Sequence, residues 1–353
     1  MRAVVPGSGT GEQRPETRDQ KPEARDFHER RRATSPQHYV DELIATAQQL
    51  LADGASVGDL KVATGALKEM RHAFKVFAEY RRVRKVSIFG SARTHAGDPV
   101  FKLAEEFARR IADCGYMIIT GAGPGIMEAC QRGAGRERSF GVNIRLPHEQ
   151  TANTVIEGDP KLMTFRYFFA RKLFFLKEAD AVVLFPGGFG THDEGFETLT
   201  LLQTGKTRPI PLVLLDRARG TYWTTWQRYV EDHILRRGMI AREDLSLYKV
   251  TDKVDAAVDE IIGYYRVYHS SRYVRDRFVI RLSRALPDDY VRALATEFGD
   301  ITDGGGIEQR RALSAERDEH DILHLPRLVL RLDRRHFGRL RQLIDRINAA
   351  PVA

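Results

Sequence analysis

Apolar residues change their spacing several times along this chain, and each change marks an element. Leu43, Ala47, Leu50 and Leu51, then Ala63, Leu67, Met70, Phe74 and Phe77 after "ADGAS", recur at the intervals of one helical face. Two amphipathic helices are predicted there. From Lys85 the rhythm becomes strand, glycine turn, helix. "KVSIFGSA" runs into Gly90 before the helix-like "VFKLAEEFARRIADCG", stopped at Gly115, and "YMIIT" meets "GAGPGIMEACQRGA". "SFGVNIRL" enters a loop, "TFRYFFARKLFFLKEA" reads as one helix, "AVVLF" meets "PGGFGTHDE", and "PIPLVLLD" is a further buried strand. Short apolar strands alternating with helices imply a parallel sheet covered on both faces. The expected fold class is therefore α/β, a Rossmann-like doubly wound parallel sheet over about residues 82–265. Beyond it, "RFVIRLS", "PDDYVRALATEF", "GIEQRRALSAER", "PRLVLRLD" and "HFGRLRQLIDRIN" give β-α-β-β-α, a small C-terminal α+β module over 266–353 with its helices on one sheet face.

Residues 1–36, rich in Pro, Gly, Glu and Arg, have too few large apolar side chains to offset the entropy of ordering, so a disordered tail is expected there. Residues 37–81 form an N-terminal helical segment. At 353 residues, with 42% hydrophobic and 29% charged residues, the chain matches soluble globular proteins and excludes fibrous or wholly disordered classes. A net charge of +8 attracts anions in general. Runs such as "RRVRK" and "RDFHERRR" read first as solvated surface, so a nucleic-acid partner is not expected. Cys114 and Cys130 stand in neither a CxxC pair nor a zinc spacing, which argues against a disulfide or a metal site and for core thiols in a reducing compartment. No run approaches the roughly eighteen apolar residues of a membrane span, and the N-terminus lacks a signal-peptide centre. The expected location is cytoplasmic, with no membrane partner.

In a parallel sheet, ligands bind beyond the carboxyl ends of the strands, where helix N-termini offer unpaired N–H groups. Three glycine turns converge on that edge: "FGSAR" (Phe89 to Arg93), "TGAGPGIMEA" (Thr120 to Ala129) and "PGGFGTHDE" (Pro186 to Glu194). Glycine lets backbone approach a bulky anion, and phosphate is the anion such turns commonly accept. A dinucleotide fingerprint is not present: "GAGPGI" has Ile126 where the third glycine belongs, and "FGVNIRL" does not end in an acid. "TGKT" (Thr204 to Thr207) fails as a P-loop because Thr200 holds the first glycine's place, and Gly205 reads as a helix stop. Thr191 and Glu194 fit a capping box as well as a catalytic pair. Arg171 and Lys172, adjacent cations among Phe168, Phe169, Phe174 and Phe175, either snorkel or meet an anion.

Together these residues resemble the LONELY GUY family of cytokinin-activating phosphoribohydrolases. "PGGFGTHDE" resembles its PGGxGTxxE signature, "ARK" at 170–172 its upstream Arg-Lys pair, and "FGSAR" and "GAGPGIMEA" its two earlier turns. The resemblance covers about residues 82–265. It implies hydrolysis of the N-glycosidic bond of a nucleoside 5′-monophosphate to free base and ribose 5-phosphate, without a cofactor. Some relatives carry a lysine-decarboxylase label, yet nothing in the sequence indicates a pyridoxal phosphate site. By the same resemblance, the phosphate falls on Gly187, Gly188, Gly190 and Thr191, and Arg171 and Glu194 take the catalytic positions. Gly90, Ser91, Gly125, Met127, Glu128 and Lys172 become substrate-binding candidates, and a homo-oligomer is implied. Two departures stand out: Asp193 replaces the Glu usual in plant members, and Gly195 replaces a bulky apolar residue, at a cost of about 1 kcal/mol in a helix.

Breaking a ribosyl C–N bond develops positive charge on the sugar and negative charge on the base. Glu194 would hold a ribose hydroxyl and face the cationic sugar; Arg171 would fix phosphate or ribose and offset charge on the leaving side. The alternative is a non-catalytic nucleotide-binding sensor using the same turns. A single-stranded nucleic-acid binder is a third reading, marked by salt-dependent binding.

Overall fold

The structure is a computed structural model that describes residues 35–145, 152–317 and 319–351; all but the last two positions of the expected tail over 1–36 lie outside them. The chain divides into two compact units, Met1–Gln49 and Leu50–Ala353. Helix α1 (Pro36–Ala52) buries none of its residues. Helix α2 (Val57–Ala78) starts at a capping box, Ser56 with Asp59, and buries Ala66, Ala73 and Phe77 along one face.

Strands β1 (Lys85–Phe89), β2 (Met117–Thr120) and β3 (Ser139–Ile144) follow, separated by helices α3 (Pro99–Asp113) and α4 (Ile126–Ala134). Every residue of the three strands is buried. Then come β4 (Leu162–Phe165), α5 (Phe168–Lys177), β5 (Ala181–Leu184), α6 (Phe189–Gln203), β6 (Leu212–Leu215), α7 (Tyr222–Tyr229), β7 (Tyr248–Thr251) and α8 (Val254–Tyr264). All seven strands pair parallel in the order β4-β3-β2-β1-β5-β6-β7. Alternate side chains supply two cores, one on each sheet face. Val182 and Leu184 join the core that takes Phe77 of α2, Phe174 of α5 and Trp223 of α7. Ala181 and Val183 join the core of α3, α4 and α8. This is the doubly wound Rossmann-like α/β sheet expected. One element is reassigned: "TFRYFFARKLFFLKEA" is not a single helix, because Thr164 and Phe165 pair with Asn143 and Ile144 in β4 and the helix begins at Phe168.

Helix α6 ends as a glycine stop should. Gly205 has φ +63°, its N–H bonds Leu202 O at 3.2 Å, and Lys206 N bonds Leu201 O at 2.9 Å. Beyond α8, β8 (Tyr268–Val274), β9 (Arg277–Leu282), α9 (Asp288–Glu297), β10 (Thr302–Arg310), β11 (Arg327–Leu332) and α10 (Phe337–Asn348) build a second, antiparallel sheet ordered β10-β11-β9-β8. The sequence reading had no β8 and set β10 four residues late. Phe278, Ile280, Leu282, Leu328 and Leu330 pack with Leu294 of α9 and Leu340 of α10, so both helices cover one face. On the other face Arg281 and Arg327 are buried against Glu316, at 2.9 and 3.4 Å. The thiol of Cys130 is buried as expected, whereas Cys114 is exposed at the end of α3.

Candidate functional site

The chain winds from β1 outward to β4 on one side, then returns to place β5 against the other side of β1. That reversal makes a topological switch point at the carboxyl ends of β1 and β5, the place where open α/β sheets hold ligands. The turns that follow these two strands, and the one after β2, interlock there. Ser91 N donates to Pro186 O at 3.2 Å, and Ile126 N donates to Ser91 O at 3.0 Å. A Cβ on Gly125 (φ +71°) would overlap Ser91 O, one on Gly90 would come within 2.7 Å of Ile126, and one on Gly187 would overlap Thr191 Oγ1. These three glycines are required by close approach. Gly188 and Gly190, by contrast, have nothing within 4 Å of a Cβ.

Gly188 is the N-cap of α6 and has no side-chain cap, so the first-turn amides have no side-chain acceptor. The capping-box reading of Thr191 and Glu194 is thereby overturned: both residues lie inside the helix, buried. Gly195 serves packing against the sheet. A Cβ there would meet Leu184 Cδ1 at 2.7 Å, so its absence lets α6 lie close on β5.

Glu194 is 8% exposed, and burial pushes its carboxyl up to about 7, with Lys172 pulling it down and Glu197 pushing it further up. Lys172 Nζ lies 2.8 Å from Asp193 Oδ2, 2.7 Å from Glu197 Oε2 and 3.4 Å from Glu194 Oε1. Burial opposes its charge, but the three carboxylates win and raise its pKa. Lys172 therefore meets anions rather than snorkelling. Arg171 behaves differently. Its Nε donates to Val142 O at 2.9 Å, its guanidinium lies 5.1 Å from the Phe175 ring centre, and burial lowers its pKa while Glu194 raises it. A Cβ on Gly121 would come 2.6 Å from Arg171 and 2.7 Å from Met127 Sδ, which puts Met127 beside the arginine. Glu128 instead pairs with Arg132 at 2.5 Å, on its own helix.

Several residues at this site were not read from the sequence as members of it. Asp193 and Glu197 flank Glu194 on α6, a spacing visible in "HDEGFE". His192 and Tyr222 had no legible connection, yet His192 Nε2 is 2.7 Å from the Tyr222 hydroxyl, which donates to Gly187 O at 2.5 Å. Ala122 has φ +59°, and its turn is braced by Asn153, whose N–H donates to Ala122 O and whose Nδ2 donates to Gly123 O and Gln131 Oε1. Among the described residues no cluster of His, Cys, Asp and Glu fits a metal ion, and no helix is long and apolar enough to cross a membrane.

No curated protein matches the chain significantly. Among solved structures, the molybdenum cofactor binding protein from the phototrophic bacterium Rippkaea orientalis is 16% identical, covering 51% of this chain and 95% of that one at a TM-score of 0.36. The protein TM1055 is 25% identical over 50% of this chain and 97% of its own, at 0.34. DNA processing protein A from Helicobacter pylori, described for its single-stranded DNA binding mode, is 15% identical over 52% and 83%, at 0.37. At TM-scores this low, the likenesses carry nothing over to this chain's ligand. Residues 126–261 match the family described as possible lysine decarboxylase. That match spans the Arg171–Lys172 pair and the PGGFGTHDE turn, the two stretches that most resemble the LONELY GUY family.

Proposed function

We propose that the protein hydrolyses the N-glycosidic bond of nucleoside 5′-monophosphates, of the AMP or cytokinin riboside monophosphate type, releasing free base and ribose 5-phosphate. The observation that carries this reading is a buried Glu194, its pKa near 7, one turn into a helix that begins at an open glycine turn at the sheet's switch point. The amides of the Gly187, Gly188 and Gly190 turn would take the phosphoryl oxygens. Ionised Glu194 would then face the oxocarbenium-like sugar, accept a ribose hydroxyl and orient water, while Arg171 offsets charge on phosphate or departing base. Lys172 keeps the acidic group on α6 ordered. Gly90, Ser91, Gly125 and Met127 shape the site, and Glu128 would reach substrate only by leaving Arg132.

The family description also suggests a decarboxylase, whose pyridoxal phosphate chemistry needs a lysine that can lose its proton. Lys172 does not fit: three carboxylates hold it charged. The exposed apolar residues Phe168, Phe169 and Leu173 of α5 support a homo-oligomer that covers this face, and Phe189 of the motif is 97% exposed as well. Two free cysteines support a cytoplasmic setting.

Incubation with each common nucleoside 5′-monophosphate, followed by chromatography for free base, tests the function. Base release that falls at least about a hundredfold in Glu194→Gln and in Arg171→Ala is expected. Tight nucleotide binding with no base released from any substrate would favour the sensor instead.

A further inference from the structure

Two consecutive carbonyls of the glycine turn are tied down. Pro186 O accepts from Ser91 N at 3.2 Å, and Gly187 O accepts from the Tyr222 hydroxyl at 2.5 Å. Both peptides are trans. In a trans peptide, the C=O of one residue and the N–H of the next point in opposite directions. Anchoring Pro186 O therefore turns the Gly187 N–H away from Ser91, and anchoring Gly187 O turns the Gly188 N–H away from Tyr222. These are amides that the function above assigns to the phosphoryl group.

The proton count extends the chain of contacts by one residue. A phenol has one hydrogen, and the Gly187 carbonyl can only accept, so the Tyr222 hydrogen is committed there. The 2.7 Å contact with His192 Nε2 must then carry the imidazole's hydrogen, with the phenol oxygen accepting. His192 is thus held with its proton on Nε2. Burial disfavours a second proton on the ring and keeps the Tyr222 phenol protonated, both of which suit this arrangement. The two residues are themselves fixed from outside the turn. Tyr222 N donates to Asp216 Oδ2 at 3.0 Å, just after β6, and the His192 ring lies 5.8 Å from Trp223 and 6.3 Å from Phe196, centre to centre.

We propose that His192 and Tyr222 are positioning residues, a two-member hydrogen-bond relay that sets the Gly187–Gly188 peptide plane and so aims the turn's amides at the phosphoryl group of the substrate. The inference rests on the nucleotide reading of the site. Neither residue touches substrate in this role, so its signature is in phosphate affinity more than in turnover.

Calorimetric titration with ribose 5-phosphate, together with steady-state kinetics on AMP, tests the relay in the full chain. Tyr222→Phe removes one oxygen and keeps the ring. It is expected to weaken ribose 5-phosphate and raise KM by about three- to tenfold, the worth of one neutral hydrogen bond, with kcat changing less. His192→Phe is expected to shift both in the same direction, and His192→Gln, which restores an N–H donor, to recover most of the loss. Wild-type affinity in Tyr222→Phe, or a fall in kcat with KM unchanged, overturns the relay while leaving the function standing. A wild-type chain that neither binds ribose 5-phosphate nor releases base overturns the nucleotide reading, and the relay with it.

Discussion

In the proposed function, Glu194 concentrates the chemistry into one titration. Its carboxyl is raised from 4.5 to about 7 chiefly by burial, so activity that needs the ionised form should climb as pH rises through about 7. Stability runs the other way. A carboxyl whose pKa is higher in the folded chain favours folding below its unfolded value of 4.5, and that contribution disappears as pH rises through about 7. Glu194→Gln should therefore lose base release yet resist urea at about pH 8 as well as the parent or better, by up to about 3 kcal/mol. Denaturation midpoints at about pH 5 and pH 8 check this: the gain should be confined to the higher pH. Arg171→Ala carries no such bonus, because it strips Val142 O of its donor and leaves Glu194 with Lys172 as its remaining cation partner.

At the scale of elements, helix α5 faces two ways. Phe174 and Phe175 are wholly buried, while Phe168 and Phe169, at the start of the helix, are 54% and 59% exposed. If a second copy covers that exposed end, Phe169→Glu should shift the chain toward monomer in light scattering and leave the far-UV circular dichroism unchanged, since no core contact is lost. Strand legibility followed burial in the same way. β1, β2, β3, β5 and β6 are interior strands buried at every position, and their sequences are correspondingly rich in apolar residues. The strands that escaped notice, β4, β7 and β8, are all sheet edges, where half-exposed sequences such as "YKVT" and "YHSSRYV" carry no apolar run. The glycine turns of the site were legible at Gly90, Gly125 and Gly187, where crowding admits no side chain. The His192–Tyr222 contact was not, since thirty positions separate its members and neither type is demanded by local geometry.

For the whole molecule, the question is how the C-terminal module is joined to the α/β domain. Asn348, at the end of α10, accepts from Val267 N and Tyr268 N at 2.9 Å each and donates to Tyr264 O at 2.6 Å, stitching the segment between α8 and β8. Arg341 reaches Glu260 of α8, and Phe337 fills the space that Gly205 leaves open at the end of α6. Asn348→Ala would strand two buried N–H groups, and a loss of about 2–4 kcal/mol in urea denaturation is expected. One feature of the motif turn reaches beyond any single assay. Thr191 closes position 187 to every side chain, whereas positions 188 and 190 border empty space and Phe189 stands free. Divergence within this turn is thus channelled: position 187 is frozen, and variation has room where solvent now sits, from 188 to 190.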